Sequence, residues 1–372
     1  MSRLWLAALA LAVVIAAAVS CAEVAEGRRP AHPAVAASSQ ADPALPLRAA
    51  FYYPWFPQAW TQQSTYPYTN YNPVLGFYDS GSPAVIANHI AAMQYGNIQA
   101  GIASWWGQGH HTDQRVPALL AAAAGTGFKW SLYYEPEGQG LTTVAQITSD
   151  LRYIQANYAS DASYLKIGGK FVVFVYGDPS DNCDTATRWK DANTVGAYVV
   201  LKVFAGYRDC INQPDGWHQY APAVAADHQG SYAYTISPGF DKIGEPAPRL
   251  TRDPARWRQN IRDMIASGAA FQLVTTFNEW GEGTAVEDAR EWDSPSGYGI
   301  YLDALHDNGA EPPAATPTPT AQSVGGSAAL PHLPPSDGGD AAPLAAIVVA
   351  LAAAVIAVGL AGLAIARRRR AR

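Results

Sequence analysis

Short apolar stretches alternate with amphipathic stretches along most of the chain. Apolar, aromatic and β-branched runs predict strands at Ala49–Tyr53, Ile98–Ser104, Trp130–Tyr134, Phe171–Tyr176, Val199–Phe204, Tyr232–Ile236 and Phe271–Phe277. Helical spacing predicts helices at Pro83–Tyr95, Val116–Ala124, Val144–Tyr158, Asp184–Asp191, Pro254–Ser267 and Tyr301–His306. This alternation, with a strand count close to eight, predicts an α/β fold of the (β/α)8 TIM-like barrel type. A doubly wound open sheet is the alternative, although no glycine-rich phosphate loop follows a strand.

A turn that carries two acids follows the last of these strands. Glu279 and Glu282 lie three residues apart, so one helical turn would direct both the same way. Two partly buried carboxyls raise each other's pKa, and glycoside hydrolysis uses one protonated and one ionised carboxyl. The alternative is a surface turn with two solvated acids.

Aromatic and acidic residues also follow the other strands. They are Tyr53, Trp55, Trp105, Trp106, Glu135, Glu137, Tyr176, Asp178 and Tyr234. In a barrel of this type the carboxyl ends of the strands share one face, and that face holds the active site. Because aromatic rings stack on sugars, this set indicates a glycan-binding cleft.

Composition narrows the functional classes. The 372 residues carry a net charge of -6 although Arg367–Arg372 is strongly basic, so the remainder is more acidic still and a nucleic-acid partner is not expected. No histidine and cysteine cluster has metal-ligand spacing, and no G-x-S-x-G elbow is present. We therefore expect neither a metal nor a cofactor, and a monomer.

Both ends of the chain are predicted to lie outside the folded domain. Residues 1–21 predict a secretory signal, cleaved simply or at a lipobox that would leave Cys21 lipidated. The remaining segments are a disordered linker at 22–46, the folded domain at 47–310, a Pro/Thr-rich stalk at 311–343, a transmembrane helix at 344–366 and a basic cytoplasmic tail at 367–372. By the positive-inside rule the domain is extracellular, on a single-pass protein of the cell membrane.

Two cysteines lie inside the predicted domain. Cys183 and Cys210 each follow a predicted strand, Phe171–Tyr176 and Val199–Phe204. If those strands are neighbours in a parallel sheet, the two cysteines share an edge and can form a disulfide outside the cell. Two free buried thiols are the alternative.

Several motifs recur in a fixed order along Ala49–Asp288. They are YYPWF at 52–56, PVLGFYDS at 73–80, SWW at 104–106, YEP at 134–136, YAY at 232–234 and TFNEWGEGT at 276–284. Together they resemble glycoside hydrolase family 99, the endo-α-mannosidase and endo-mannanase family, whose last motif is SFNEWHEGT. The resemblance implies a barrel fold and an oligo- or polysaccharide substrate.

The resemblance also implies roles for individual residues. Glu279 would be the base that activates the 2-hydroxyl of the sugar, and Glu282 the acid that protonates the leaving oxygen, with retention of configuration. The implied substrate-binding residues are Tyr53, Trp55, Trp105, Trp106, Glu135, Tyr234, Asn278 and Trp280. Gly281 stands where the family has histidine, which leaves an α-glucan substrate open. A non-catalytic surface glycan-binding protein on the same scaffold is the other alternative.

The predicted topology can be tested on intact cells. Protease added outside should release a soluble fragment by cutting within Glu311–Pro343, because the apolar span and its arginine tail hold the domain outside. The released fragment is detected by mass spectrometry. Survival of the domain on whole cells, with digestion only after lysis, would contradict this topology.

Overall fold

The computed structural model describes residues 43–139 and 142–311. The predicted signal segment, stalk, transmembrane helix and tail lie outside these residues, apart from Glu311, as does most of the predicted linker. A search of the described residues finds no helix with the length and apolar character needed to span a bilayer.

The described strands, in chain order, are β1 (Leu47–Tyr52), β2 (Ala100–Trp105), β3 (Lys129–Tyr134), β4 (Lys166–Ile167), β5 (Lys170–Val175), β6 (Tyr198–Lys202), β7 (Gly216–His218), β8 (Ala226–His228), β9 (Ala233–Ile236) and β10 (Phe271–Val274). They form one sheet of order β7-β6-β5-β3-β2-β1-β10-β9-β8, with β4 paired to β5. Strands β8 and β4 are antiparallel to their neighbours, and the other pairs are parallel. Eight parallel strands therefore form the core of the sheet.

The sheet is curled rather than flat. The ring of Phe271 on β10 lies 5.1 Å from that of Phe174 on β5 and 6.3 Å from that of Tyr198 on β6, although neither strand neighbours β10. These side chains, with Leu47, Ala49, Phe51, Ala100, Ile102, Tyr133, Val172, Val200, Ala233 and Leu273, fill the inside of the curl. Near the two ends of the parallel path, Thr235 on β9 donates a hydrogen bond to the carbonyl of Gln219, just after β7, at 2.6 Å. This arrangement is a TIM-like fold, in which alternate residues of each strand face inward.

Helices cover the outer face of the sheet. They are α1 (Pro83–Tyr95), α2 (His111–Ala123), α3 (Val144–Asn157), α4 (Cys183–Ala192), α5 (Pro254–Ala266) and α6 (Ile300–His306). Their apolar stripes pack on the outward residues of the strands, for example Ile86, Leu119, Leu151, Trp189 and Ile261. Asp253 caps α5 as its position predicts, since its carboxylate accepts the backbone N–H groups of Ala255 and Arg256.

The structure differs from the sequence prediction in its short strands and in the end of the last strand. The strands β4, β7 and β8 were not predicted, because two or three residues are too few to show a period. Within the described residues no α-helix follows β6 or β7, which are joined to the next strands by a 3-10 turn at Tyr207–Asp209 and by β8. The last strand ends at Val274 rather than Phe277, which lengthens the segment before the acidic turn.

Strands β5 and β6 are neighbours, and the cysteines that follow them are joined. Cys183 begins α4 and Cys210 follows the 3-10 turn, and their Cα atoms lie 5.2 Å apart in a disulfide. The bond closes a loop with a sequence separation of 27 residues. It ties α4 to the otherwise irregular connection between β6 and β7.

Loss of this crosslink should lower stability without altering the fold. A Cys183→Ala/Cys210→Ala variant should lose about 3 kcal/mol of unfolding free energy, because its unfolded chain regains the entropy that the loop removes. Denaturant unfolding with and without a reducing agent measures the loss. The reducing agent should lower the unfolding free energy of the parent protein and leave that of the variant unchanged. Equal unfolding free energies of the parent and the variant without reducing agent would show that the bond does not contribute to stability.

Candidate active site

The two glutamates lie on one tight turn beyond β10. The backbone N–H of Thr284 donates to the carbonyl of Glu279 at 3.2 Å, and this bond closes the turn. Gly283 has a φ of 66°, and a Cβ there would lie 2.6 Å from the backbone oxygen of Asp241. The turn therefore requires glycine at this position, both for its left-handed backbone and for the close approach of the neighbouring chain.

A buried polar network holds the turn from behind. The side-chain amide of Asn278 accepts the N–H of Tyr53 at 2.7 Å and donates to its carbonyl at 3.1 Å. The indole of Trp280 donates to the Tyr78 hydroxyl at 3.1 Å, and that hydroxyl donates to Glu287 at 2.6 Å. Asn278 and Trp280, both predicted to bind substrate, are fully buried and do not line the cleft, and both anchor the turn.

In front of the turn lies a cleft of about 420 Å³. Its lining is aromatic and acidic, with Tyr53, Trp55, Gln62, Gln63, Tyr68, Trp106, Glu135, Gly138, Gln139, Tyr176, Tyr220, Lys242, Glu279, Gly281 and Glu282. The rings of Tyr53 and Trp55 are stacked 4.4 Å apart. The volume is within the range of small-molecule sites, and the rings offer faces on which a sugar can stack.

The two glutamates share one electrostatic environment but differ in exposure. Burial raises the pKa of Glu279 well above its usual range, and the charge of Glu282 adds to this rise. Two backbone N–H groups, of Gly281 at 3.0 Å and Glu282 at 3.3 Å, donate to Oε1 of Glu279 and oppose it. Burial also raises the pKa of Glu282, whose side chain is 27% exposed, while Lys242 at 3.9 Å favours its ionised form. At neutral pH the pair can hold one proton between them.

Glu135 adds a third carboxyl to the cleft. It follows β3 and is 6% exposed, and its burial raises its pKa to about 8. The Ser104 hydroxyl opposes this rise and the charge of Glu282 adds to it. Near pH 7 this carboxyl is therefore mostly neutral, so it can donate a hydrogen bond to a ligand as well as accept one.

Part of the chain is similar to a known protein family. The family model of glycosyl hydrolase family 99 matches residues 48–203. Over these residues the chain resembles family 99. The match supports a glycoside hydrolase, and it ends before the acidic turn that carries Glu279 and Glu282.

Solved structures of similar proteins support the fold of this chain. Two structures of the endo-α-mannosidase from Bacteroides thetaiotaomicron, one in complex with Bis-Tris propane, are 21% identical to it, with TM-scores of 0.57 and 0.55. They cover 70% of this chain, which spans 94% and 95% of theirs. A glycoside hydrolase-like protein is 16% identical with a TM-score of 0.53, over 76% of this chain and 97% of its own. At these identities the likeness shows the fold.

Two further residues predicted to bind substrate, Trp105 and Tyr234, do not line the cleft. Trp105 is fully buried, and its indole donates to Asp113 at 2.7 Å behind the sheet. Tyr234 lies on β9 with its ring 5.0 Å from that of His228 on β8, away from the cleft lining. Both were assigned from motifs, but the pleat of each strand sends these side chains to the outer face.

Several residues that line the cleft were not predicted from the sequence. Tyr220 follows the undetected strand β7 and accepts a hydrogen bond from the Tyr53 hydroxyl at 2.8 Å. Tyr68 and Lys242 lie in long connections without any periodic pattern. Lys242 is held by its neighbours, since the backbone N–H groups of Asp241 and Ile243 donate to the carbonyls of Glu282 and Gly281. Only the folded backbone brings these residues to the cleft.

The acid Glu137 lies near the cleft but faces away from it. Its buried carboxylate accepts hydrogen bonds from Arg188 and from the indole of Trp189 on α4, and from Thr142. This supports the 3-10 turn Pro136–Gln139, which contributes Gly138 and Gln139 to the cleft. Among the residues of 43–139 and 142–311, no group of three or more metal-ligating side chains could hold a metal ion.

The state of Glu135 gives a direct test. Because its folded pKa is raised, it should be neutral below about pH 8 and charged above, whereas an ordinary glutamate titrates near 4.5. NMR titration of carboxyl-labelled glutamates should show one resonance with a midpoint near pH 8 that is absent in Glu135→Gln. The exposed Glu291→Gln variant is the control and should retain it. A Glu135 midpoint below pH 5 would contradict this environment.

Proposed function

We propose that the protein is a retaining glycoside hydrolase that cleaves an α-linked glycan in the manner of an endo-α-mannosidase. The observation that carries this proposal is the pair Glu279 and Glu282, which sits on one rigid turn and opens to an aromatic cleft. Among the residues that line the cleft there are three acids and one cation, Lys242, so the cleft suits a neutral sugar better than an anionic one.

The proposed first step uses the hydroxyl of the sugar itself. Glu279 removes the proton of the 2-hydroxyl, the oxygen attacks C1, and the bond from C1 to the leaving oxygen breaks. Glu282 donates its proton to that oxygen, which gives a 1,2-anhydro sugar and a free alcohol. An internal nucleophile is effective because its high effective molarity removes the entropy cost of bringing two reactants together.

The second step reverses these roles. Glu282, now ionised, takes a proton from water, whose oxygen attacks C1 and opens the three-membered ring. Glu279 returns its proton to the 2-oxygen. Each step inverts C1, so the configuration is retained, and both carboxyls regain their starting states.

The assignment of base and acid is the one that the family motif implies, and the hydrogen bonds and access of the two carboxyls support it. Burial favours a proton on Glu279, but the two N–H groups that donate to it favour its ionised form and fix its orientation, as a base requires. Glu282 is the more exposed of the two, so a leaving group and water can both reach it. Protonation of Glu282 also removes the charge that opposes ionisation of Glu279.

The cellular location is a separate proposal. We infer a cell-surface protein with its domain outside from the apolar segment 344–366 and the arginines after it, which lie outside the described residues. In that setting a surface or extracellular polysaccharide is the substrate that the domain can reach.

Substitution of each glutamate tests the mechanism. Glu279→Gln should lose about 10²–10⁴-fold in rate on a natural α-mannan and on an activated aryl α-mannoside, because nothing else activates the 2-hydroxyl. Glu282→Gln should lose as much on the mannan but retain much of its first-step rate on the aryl substrate, whose leaving group needs no proton. Product release and burst kinetics measure both, with the exposed Glu291→Gln as the control.

Three results would contradict parts of this proposal, and two of them come from further assays with a 2-deoxy substrate and with malto-oligosaccharides. Wild-type rates for both variants would show that the turn is solvated and not catalytic. Turnover of a 2-deoxy substrate that still depends on Glu279 would indicate direct carboxylate attack. Cleavage of malto-oligosaccharides but not of mannans would move the substrate to an α-glucan.

A further inference from the structure

The position between the two glutamates carries no side chain, and a neighbouring ring uses the space. A Cβ added to Gly281 would lie 2.9 Å from two ring carbons of Tyr68 and 3.1 Å from Oε1 of Glu279. Real Cβ atoms essentially never come within 3.0 Å of another atom, as this one would of the Tyr68 ring. The Tyr68 ring and the Glu279 carboxylate are therefore neighbours across Gly281, and the ring keeps its place only because residue 281 is glycine.

Tyr68 is held in this place by its own loop. Gln62 and Thr65 pair across a tight turn, and the backbone N–H of Tyr68 then donates to the carbonyl of Trp60 at 2.9 Å. Two residues on, the Asn70 amide donates to the carbonyl of Asp241, which joins this loop to the one that carries Lys242. The Tyr68 ring is 6% exposed, and that exposed part lines the cleft.

The hydroxyl of Tyr68 differs from those of Tyr53 and Tyr220, which also line the cleft. The hydroxyls of Tyr53 and Tyr220 bond to each other, whereas that of Tyr68 makes no hydrogen bond to any group of the described residues. This hydroxyl is not among the buried polar atoms that lack a partner in the described residues, so it is open to the cleft. A tyrosine hydroxyl can both donate and accept, and beside the two glutamates a sugar hydroxyl is a suitable partner for it.

We propose that Tyr68 is a specificity-determining residue of this cleft. Its ring, seated against Gly281, forms the wall beside the catalytic pair, and its hydroxyl bonds to a hydroxyl of the neutral sugar bound there. This inference rests on the proposed function, since it names the group that recognises the substrate of the same site. Sugars that lack this hydroxyl should bind less tightly, because they cannot form the hydrogen bond with Tyr68.

Removal of the hydroxyl alone gives the first test. Tyr68→Phe keeps the ring, so it should raise KM, and weaken affinity for the best-bound oligosaccharide, by about tenfold, with a smaller effect on kcat. Affinity is measured by calorimetry in a Glu282→Gln background with α-mannan and malto-oligosaccharides, so the result does not depend on turnover. Tyr66→Phe is the matched control, since Tyr66 lies in the same loop and is 63% exposed.

The fit against Gly281 gives the second test. Gly281→Ala should lower kcat/KM by tenfold or more, because the new methyl group displaces the Tyr68 ring. In a Tyr68→Ala background, with the ring gone, the same change should cost little, so the two effects are non-additive. Thermal unfolding confirms that each variant is folded, and Tyr68→Phe remains decisive if Tyr68→Ala is not.

The proposal is overturned if Tyr68→Phe binds all oligosaccharides as the parent does, or if the parent binds none of them. It is also overturned if Gly281→Ala lowers kcat/KM by the same factor in the parent and in Tyr68→Ala. The new methyl group would then act directly on Glu279 rather than through the Tyr68 ring. Failure of the catalytic mechanism is distinguishable, because it appears as unchanged turnover in Glu279→Gln, whatever the affinity of Tyr68→Phe.

Discussion

The site depends on the double hydrogen bond between the Asn278 side chain and the backbone of Tyr53. These two bonds, at 2.7 and 3.1 Å, join the segment after β10 to the end of β1, where the chain leaves the sheet. Pairing of β1 with β10 ends at Val274, and beyond it the backbone N–H of Phe277 donates to the carbonyl of Phe51 at 2.8 Å. The buried amide of Asn278 extends this contact and brings the acidic turn beside the stacked rings of Tyr53 and Trp55.

Behind this amide, a closed set of buried polar groups makes the turn rigid. Tyr78 donates to Glu287, which His89 also contacts at 3.1 Å, and the second nitrogen of His89 lies 3.0 Å from the Tyr52 hydroxyl. Each of these groups is satisfied, so burial strengthens the network rather than destabilising it. A rigid support matters here, because catalytic carboxyls must be held close to their working geometry.

Support also comes from the opposite side of the cleft. The disulfide attaches α4 to the connection after β6, and α4 presents Arg188 and Trp189 to the buried carboxylate of Glu137. Glu137 in turn holds the short helix whose Gly138 passes close to the ring of Tyr176, where a Cβ would lie only 2.2 Å away. One wall of the cleft is therefore held by the acidic turn after β10, and the opposite wall is held by the outer helix α4.

The hydrophobic pattern by itself determined the α/β alternation, most element positions, and the two acids after the last strand. These features can be predicted from the sequence because hydrophobic periodicity depends on residues that are only a few positions apart. Tertiary structure alone decided which residues face the cleft. Trp105 and Trp106 are adjacent in the chain, yet the strand pleat buries the first and opens the second to the cleft. Tyr68, Tyr220 and Lys242 reach the cleft from loops whose course depends on contacts between residues far apart in sequence, and no local pattern records those contacts.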